Sequence, residues 1–401
     1  MHELQVIQKM NDSELSGLRK NFPITEKAVY MNHGAISPCP SYVREAILKH
    51  LEDWSNMNPD FMSLVPYGGE GPGQGETSAV KQAFANLVKA KPNEIALVPN
   101  TNIGLNTIVH ALRISRGKNI IMPEAAIEHP TYLPNLLEEN GIETRYVERK
   151  NGRFLPDDVE KKVDKNTALI FMCHAEYGLG TRNDVKAMAE IAHRHGVRIL
   201  IDAFQSVGAL KVDVKALDVD FLSTGTYKWM LGIKGTGFLY VKDALIPELK
   251  PALFGWANGP YHDSYKKANK SWITGVHESA SRFETGSSSI IGFVAAKAAI
   301  DFLLQIGMER IEKRLMDVTG YLIGKLQSLG VEIYSPLEPS ARSGNVTFKF
   351  KNAPEVVQKI RKKGFWVSGG FHYLDGIRAS PHFYNTEDEV DRLLKELKAY
   401  I

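Results

Sequence analysis

The chain has 401 residues, enough for two or three domains because single cores stop growing near ~250 to 300 residues, and its 43% hydrophobic and 24% charged content is that of an ordinary globular protein. A net charge of +3 spread along the chain argues against a nucleic-acid groove or a membrane-binding patch. The two cysteines, Cys39 and Cys173, stand far apart with no CxxC and no His/Cys cluster at metal-ligand spacing, so neither a disulfide framework nor a bound metal is expected.

The opening "MHELQVIQKMNDSELSGLRK" is polar and lacks the apolar centre of a signal peptide, and no run of ~18 apolar residues occurs, so a cytoplasmic protein is expected. Residues 1–60, with turn-rich "MNHGAISPCP" before the helix "SYVREAILKHLEDW", read as an arm packing on one of the domains. The Gly-rich "YGGEGPGQGE" lacks the Lys-Ser/Thr ending of a P-loop and follows no strand, so it reads as a loop. From Lys91 onward strand and helix alternate. "EIALVPN" (strand) leads to "TNIGLNTIVHALRIS" (helix), "KNIIMP" to "TYLPNLLEEN" and "IETRYVE", and "TALIFMCH" to the helix "DVKAMAEIAHRHG". The strands "VRILID", "VDFLSTGT" and "GTGFLYV" follow. Strands apolar almost throughout fit a mostly parallel sheet covered by helices on both faces, an α/β fold. After Gly292, two long helices and the mixed runs "NVTFKFK", "FWVSGG", "GIRAS" and "TEDEVDRLLKELKAY" read as a smaller C-terminal α+β domain. The expected division is an arm over 1–60, a large domain over 61–292 and a small domain over 293–401.

In open parallel sheets, ligands bind beyond the carboxyl ends of the strands. Thr101 and Asn102 open a helix there, Glu128 and His129 follow "NIIMPEAAI", His174 ends "TALIFMCH", Asp202 ends "VRILID" with Gln205 three residues on, and Lys228 follows "VDFLSTGT". Taken singly, Lys228 is either a snorkelling surface lysine or a buried nucleophilic amine able to form a Schiff base. Asp202 is either a helix cap or an acid that keeps a pyridine nitrogen protonated. Thr101 and Asn102 are either ordinary caps or phosphate donors at a helix start, and His129 is either a turn residue before Pro130 or part of a site. Their convergence on one sheet edge is what a pyridoxal 5'-phosphate (PLP) site requires.

From "YMNHGAISPCP" to "YNTEDEVDRLLKEL" the sequence resembles the class V aminotransferase family of fold-type I PLP enzymes, which includes cysteine desulfurases, kynureninase and isopenicillin N epimerase. The most specific stretches are "ILIDAFQSVGALKVDVKALDVDFLSTGTYKWMLGIKGTGFLYV", "RFETGSSS" and "IRASPHFYNTEDEVDRL". The resemblance implies that Lys228 carries the Schiff base, Asp202 partners the pyridine nitrogen, Gln205 bonds the phenolic oxygen and His129 stacks on the ring. It implies phosphate contacts from Thr101, Asn102 and Thr226, with Ser287 reaching the partner subunit's cofactor, and a substrate carboxylate clamp at Arg378. His33, Tyr177 and His372 are implied lining residues, and a homodimer with shared active sites follows.

Two departures stand out. Many relatives have histidine and serine where this chain has Tyr227 and Gly225, which leaves the phosphate ligands open. Desulfurases use a cysteine on the loop before the carboxylate-binding arginine, and "VSGGFHYLDGIR" has none, so persulfide-forming desulfuration is disfavoured. The expected reaction on a small amino acid is therefore transamination first, β-elimination at a C–S bond second and epimerisation third. A competing dehydrogenase reading fails because "GIKGTG" precedes a strand instead of opening a helix. A non-catalytic protein on the PLP fold is the remaining alternative.

Overall fold

The computed structural model describes residues 10–57, 75–124, 133–150, 152–259, 275–371 and 374–400. In chain order the strands are β1 (Val29–Tyr30), β2 (Ile95–Val98), β3 (Asn119–Pro123), β4 (Glu143–Val147), β5 (Thr167–Cys173), β6 (Arg198–Asp202), β7 (Phe221–Gly225) and β8 (Gly237–Val241). In the C-terminal part they are β9 (Val346–Lys349), β10 (Phe365–Trp366), β11 (Ser368–Phe371) and β12 (Leu374–Ala379).

The seven-stranded central sheet has the order β2-β8-β7-β6-β5-β3-β4, and β8 alone runs antiparallel to its neighbours. Apart from the edge strand β4, its strands are apolar almost throughout because each face has its own core. Ile121, Ile170, Met172, Ile199, Ile201 and Leu222 point into one, while their chain neighbours Ile120, Leu169, Phe171, Leu200 and Phe221 point into the other. This two-sided burial confirms the α/β reading of the sequence.

Register then levels the strand ends: Cys173 pairs with Asp202, and Asp202 with Ser223. The residues that follow β5, β6 and β7 therefore open onto one edge, where helix Thr101–Ala111 also begins. That helix starts because the Asn100 side chain accepts from the Ile103 amide at 3.0 Å.

The smaller C-terminal part holds the antiparallel sheet β11-β12-β9 and its own core, which includes Leu322, Phe348, Ile360 and Leu393. Helix Ile290–Ile306 instead contributes Phe293, Ala299 and Leu303 to the core of the large sheet. The N-terminal arm packs on both parts, not on one. Phe22 and Val43 join the large core, whereas Val29 and Met31 join the small one, because β1 pairs in parallel with β10. Among the described residues no single helix is long and apolar enough to cross a membrane.

Trp229, fully buried, wedges between the two parts. Its indole N–H donates to Gln205 Oε1 at 2.9 Å, and its carbonyl accepts from His382 Nε2 at 2.9 Å. Gly208, at φ +95°, lies directly against the Trp229 carbonyl, where a Cβ would collide with backbone. Gly208→Ala combines a disfavoured φ with that clash, so it is expected to destabilise the fold by more than about 2 kcal/mol in a urea titration. A midpoint equal to wild type would contradict this packing.

Candidate active site

Lys228 is only 3% exposed, which excludes the surface-lysine alternative. The N-terminal arm fixes its backbone: the Ser37 amide donates to Tyr227 O at 2.9 Å and the Ser37 hydroxyl to Lys228 O. The Lys228 ammonium lies 4.1 Å from the centre of the Phe204 ring and 5.2 Å from that of Tyr177. Aromatic faces of this kind offset part of the cost of burying a cation.

Asp202 sits beside this amine at the end of β6, 7% exposed. Burial pushes its carboxyl up to about 6, while the Phe204 amide, donating to Oδ1 at 2.9 Å, and the Lys228 charge pull it down. No helix follows Asp202, so the capping alternative is replaced by a local turn. His174, at the end of β5, donates its amide to Asp202 O at 2.8 Å. Burial lowers its imidazole to about 3, and its Nδ1 has no partner among the described residues.

Gln205 is held in one orientation. Its Nε2 donates to Gly34 O at 3.0 Å, and its Oε1 accepts from Trp229 and, at 3.3 Å, from Asn345 Nδ2. Thr101 is 1% exposed, and its hydroxyl has no hydrogen-bond partner among the described residues. It stands on the first turn of its helix, where backbone amides lack intrahelical acceptors. Asn102 beside it is exposed.

Thr226, His33 and Ser287 sit in three different settings. Thr226 is fully buried and its hydroxyl braces its own loop, donating to Ile233 O at 2.6 Å and lying 2.7 Å from the Thr236 hydroxyl. His33 is fully buried behind the site, and both its ring nitrogens are engaged: Nδ1 donates to Ser380 O at 2.9 Å, and Nε2 accepts from the Tyr384 hydroxyl at 2.7 Å. Its bonds join the arm to the small domain. Ser287 lies exposed on the surface of this chain. His129, Glu128 and His372 lie outside the described residues.

Arg378, on β12 and fully buried, faces the same pocket. Its guanidinium stacks 3.8 Å from the centre of the Tyr177 ring, Nη1 donates to Tyr177 O at 2.9 Å, and Nη2 reaches the Ser368 hydroxyl at 3.3 Å. One aromatic ring thus neighbours both the amine and the guanidinium. Asn345, which no sequence pattern singled out, links the two halves of this wall, donating to Glu176 O at 3.2 Å and accepting from the Ser380 hydroxyl at 2.7 Å.

The pocket fits PLP. A buried amine, a buried carboxyl and, at a helix start, a buried hydroxyl with no partner among the described residues match, in kind, the cofactor's aldehyde, pyridine nitrogen and phosphate.

The family described as aminotransferase class-V matches residues 29–393. A probable cysteine desulfurase of Methanothermobacter thermautotrophicus is 30% identical, covering 95% of this chain and 96% of its own. The uncharacterized aminotransferase YcbU of Bacillus subtilis is also 30% identical, over 81% of this chain and 84% of its own. Among solved structures, the apo cysteine desulfurase from Thermococcus onnurineus is similar with a TM-score of 0.84 at 26% identity, covering 96% of this chain and 97% of that one.

A carboxyl raised on folding favours the folded state at low pH and loses that contribution as pH rises through its folded value. For Asp202, moving from 3.8 to about 6, cofactor-free wild type should lose stability relative to Asp202→Asn between about pH 4 and 7, by on the order of 3 kcal/mol, and the difference should level off above. Urea titrations of both proteins across that range measure it; a pH-independent difference would contradict the burial argument.

Proposed function

The chain belongs to the class V aminotransferase family, and from that premise we propose that it is a PLP-dependent aminotransferase acting on a small α-amino acid. The observation that carries this reading is the buried Lys228 amine, 5.2 Å from the ring that also stacks on the Arg378 guanidinium. An amino acid whose carboxylate is clamped by Arg378 presents its α-carbon towards Lys228.

PLP, when bound, supplies an aldehyde carbon that exchanges amines and a ring that draws electrons from the substrate's α-carbon. The chain's own residues do the rest. Lys228 Nζ would hold the cofactor covalently and, as a free amine, would take and return a proton at the substrate's α-carbon. Asp202 would keep a proton on the ring nitrogen, and its confinement at the end of β6 would keep that charge in place. Thr101 and the amides of its helix would receive the phosphate, and Gln205 would meet the phenolic oxygen. Arg378 selects a substrate carboxylate by its planar donor pair.

β-Elimination at a C–S bond is the second reading, favoured by the relatives named as probable cysteine desulfurases. The persulfide route finds no nucleophile, because the segment before Arg378 contains no cysteine. Of the two cysteines, Cys39 and Cys173, burial pushes both thiols up, away from the reactive thiolate. A homodimer with shared sites is part of this proposal. Supporting it are the exposed Ser287 and the exposed Leu253, Phe254 and Trp256 on the segment that packs against "ETGSS". Sedimentation at twice the chain mass is the expected result, and a monomer at micromolar concentration would contradict it.

Reaction of the PLP-loaded protein with an amino-acid panel should bleach the visible cofactor band and release a 2-oxo acid that mass spectrometry identifies. Pyruvate together with sulfide from cysteine, without transfer of nitrogen to a second oxo acid, would establish elimination instead. Lys228→Ala should cut turnover by about 10²- to 10⁴-fold. Arg378→Lys should raise KM about tenfold or more, because an ammonium cannot reproduce the paired donors. An unchanged KM would remove Arg378 from substrate binding.

A further inference from the structure

Three consecutive carbonyls, those of Tyr227, Lys228 and Trp229, are each met by a donor from the arm or the small domain. The Ser37 amide and hydroxyl bond the first two, and His382 Nε2 bonds the third at 2.9 Å. His382 is fully buried and cannot turn: its own amide donates to Asn385 Oδ1 at 2.7 Å, and its Nδ1 accepts from the Phe383 amide at 2.8 Å. Nδ1 therefore carries no proton, so Nε2 is the donor. Burial lowers this imidazole to about 4, which keeps that neutral form at working pH. The same short segment carries Arg378, and Ser380 between them is pinned to the arm. The Ser380 amide donates to Met31 O at 2.7 Å, and its carbonyl accepts from the His33 amide at 3.1 Å and from His33 Nδ1 at 2.9 Å. Arg378 and His382 are thus two ends of one braced strut.

Trp229 directly follows Lys228 in the chain. A strut with the guanidinium at one end and a bond to the lysine's neighbour at the other fixes the spacing of two groups that a substrate must meet at once. We propose that His382 is a positioning residue, whose bond to the Trp229 carbonyl sets Arg378 at the distance from Lys228 that an α-amino acid spans. The proposal rests on the PLP reading and deepens it, because it says how the chain selects ligands with carboxylate and amine on one carbon. Loss of the bond leaves each group in place but loosens their spacing, and small misplacements of reacting groups are costly in rate.

The test compares a ligand that needs both groups with one that needs the guanidinium alone. The probes are the amino acid that turns over best and the carboxylic acid of the same skeleton without the amine, each added to PLP-loaded protein. His382→Asn keeps an acceptor for the Phe383 amide but is too short to donate to Trp229 O. Its kcat/KM for the amino acid should fall about ten- to hundredfold, while the acid's dissociation constant, measured by calorimetry, stays within about threefold of wild type. His382→Phe, which keeps a ring without a donor, should show the same selective loss. His382→Gln, whose amide nitrogen reaches the place of Nε2, should recover most of it. Combining His382→Asn with Arg378→Lys should cost less than the product of the two single effects, because both changes break one spacing. Equal weakening of both ligands in His382→Asn and His382→Phe, or a glutamine variant as impaired as the asparagine one, overturns this inference alone. A wild-type chain with no PLP band overturns the functional reading and this inference with it.

Discussion

The structure depends on one costly arrangement, the burial of an ammonium and a carboxyl at the end of a parallel sheet. Lys228 and Asp202 are both nearly inaccessible, and isolated charges in such a place are strongly disfavoured. The aromatic faces of Phe204 and Tyr177, the Phe204 amide and the mutual attraction of the two groups offset that cost. The carboxyl is still pushed up to about 6, which marks residual strain in the electrostatics. Perturbed acids of this kind cluster at functional sites, because a tuned group is useful only where a ligand completes it.

Around that pair the molecule is built to keep loops still. The Lys228 backbone is gripped by Ser37 from the arm, Gln205 is locked by Gly34, Trp229 and Asn345, and Trp229 is itself held by His382 from the small domain. Each part of the chain thus contributes a contact within two residues of the amine or the acid, or to the glutamine between them. Loops this tightly satisfied resist the small displacements that cost catalytic rate. Arg378 arrives on β12 from the small domain, so the relative setting of the two domains also sets the distance between its guanidinium and the amine.

The parts of this organisation that were legible in the sequence are those that repeat or that carry rare chemistry. "TALIFMC" and "VRILID" reveal two-sided burial because successive apolar residues enter opposite cores, and Asp202 and Lys228 are conspicuous because charges at the ends of such runs need a reason. The protein partners of His33 and Thr226 were not legible by pattern alone. Both are polar residues near the site whose hydrogen-bonding groups turn to protein partners, Ser380 and Tyr384 for one and Ile233 and Thr236 for the other. Those partners lie on other segments or across an irregular loop, where no periodicity reports them. Asn345 was invisible for the same reason: its value lies in joining Glu176, Gln205 and Ser380, which only the folded chain brings together.

The proposed chemistry requires Lys228 to be the amine that holds the cofactor. Borohydride reduction of the PLP-loaded protein, followed by proteolysis and mass spectrometry, locates that bond directly. The predicted result is a pyridoxyl group on the peptide containing Lys228 and its absence from Lys228→Ala. A modified lysine elsewhere, or an unmodified wild-type chain that had carried the visible band, would contradict the central claim.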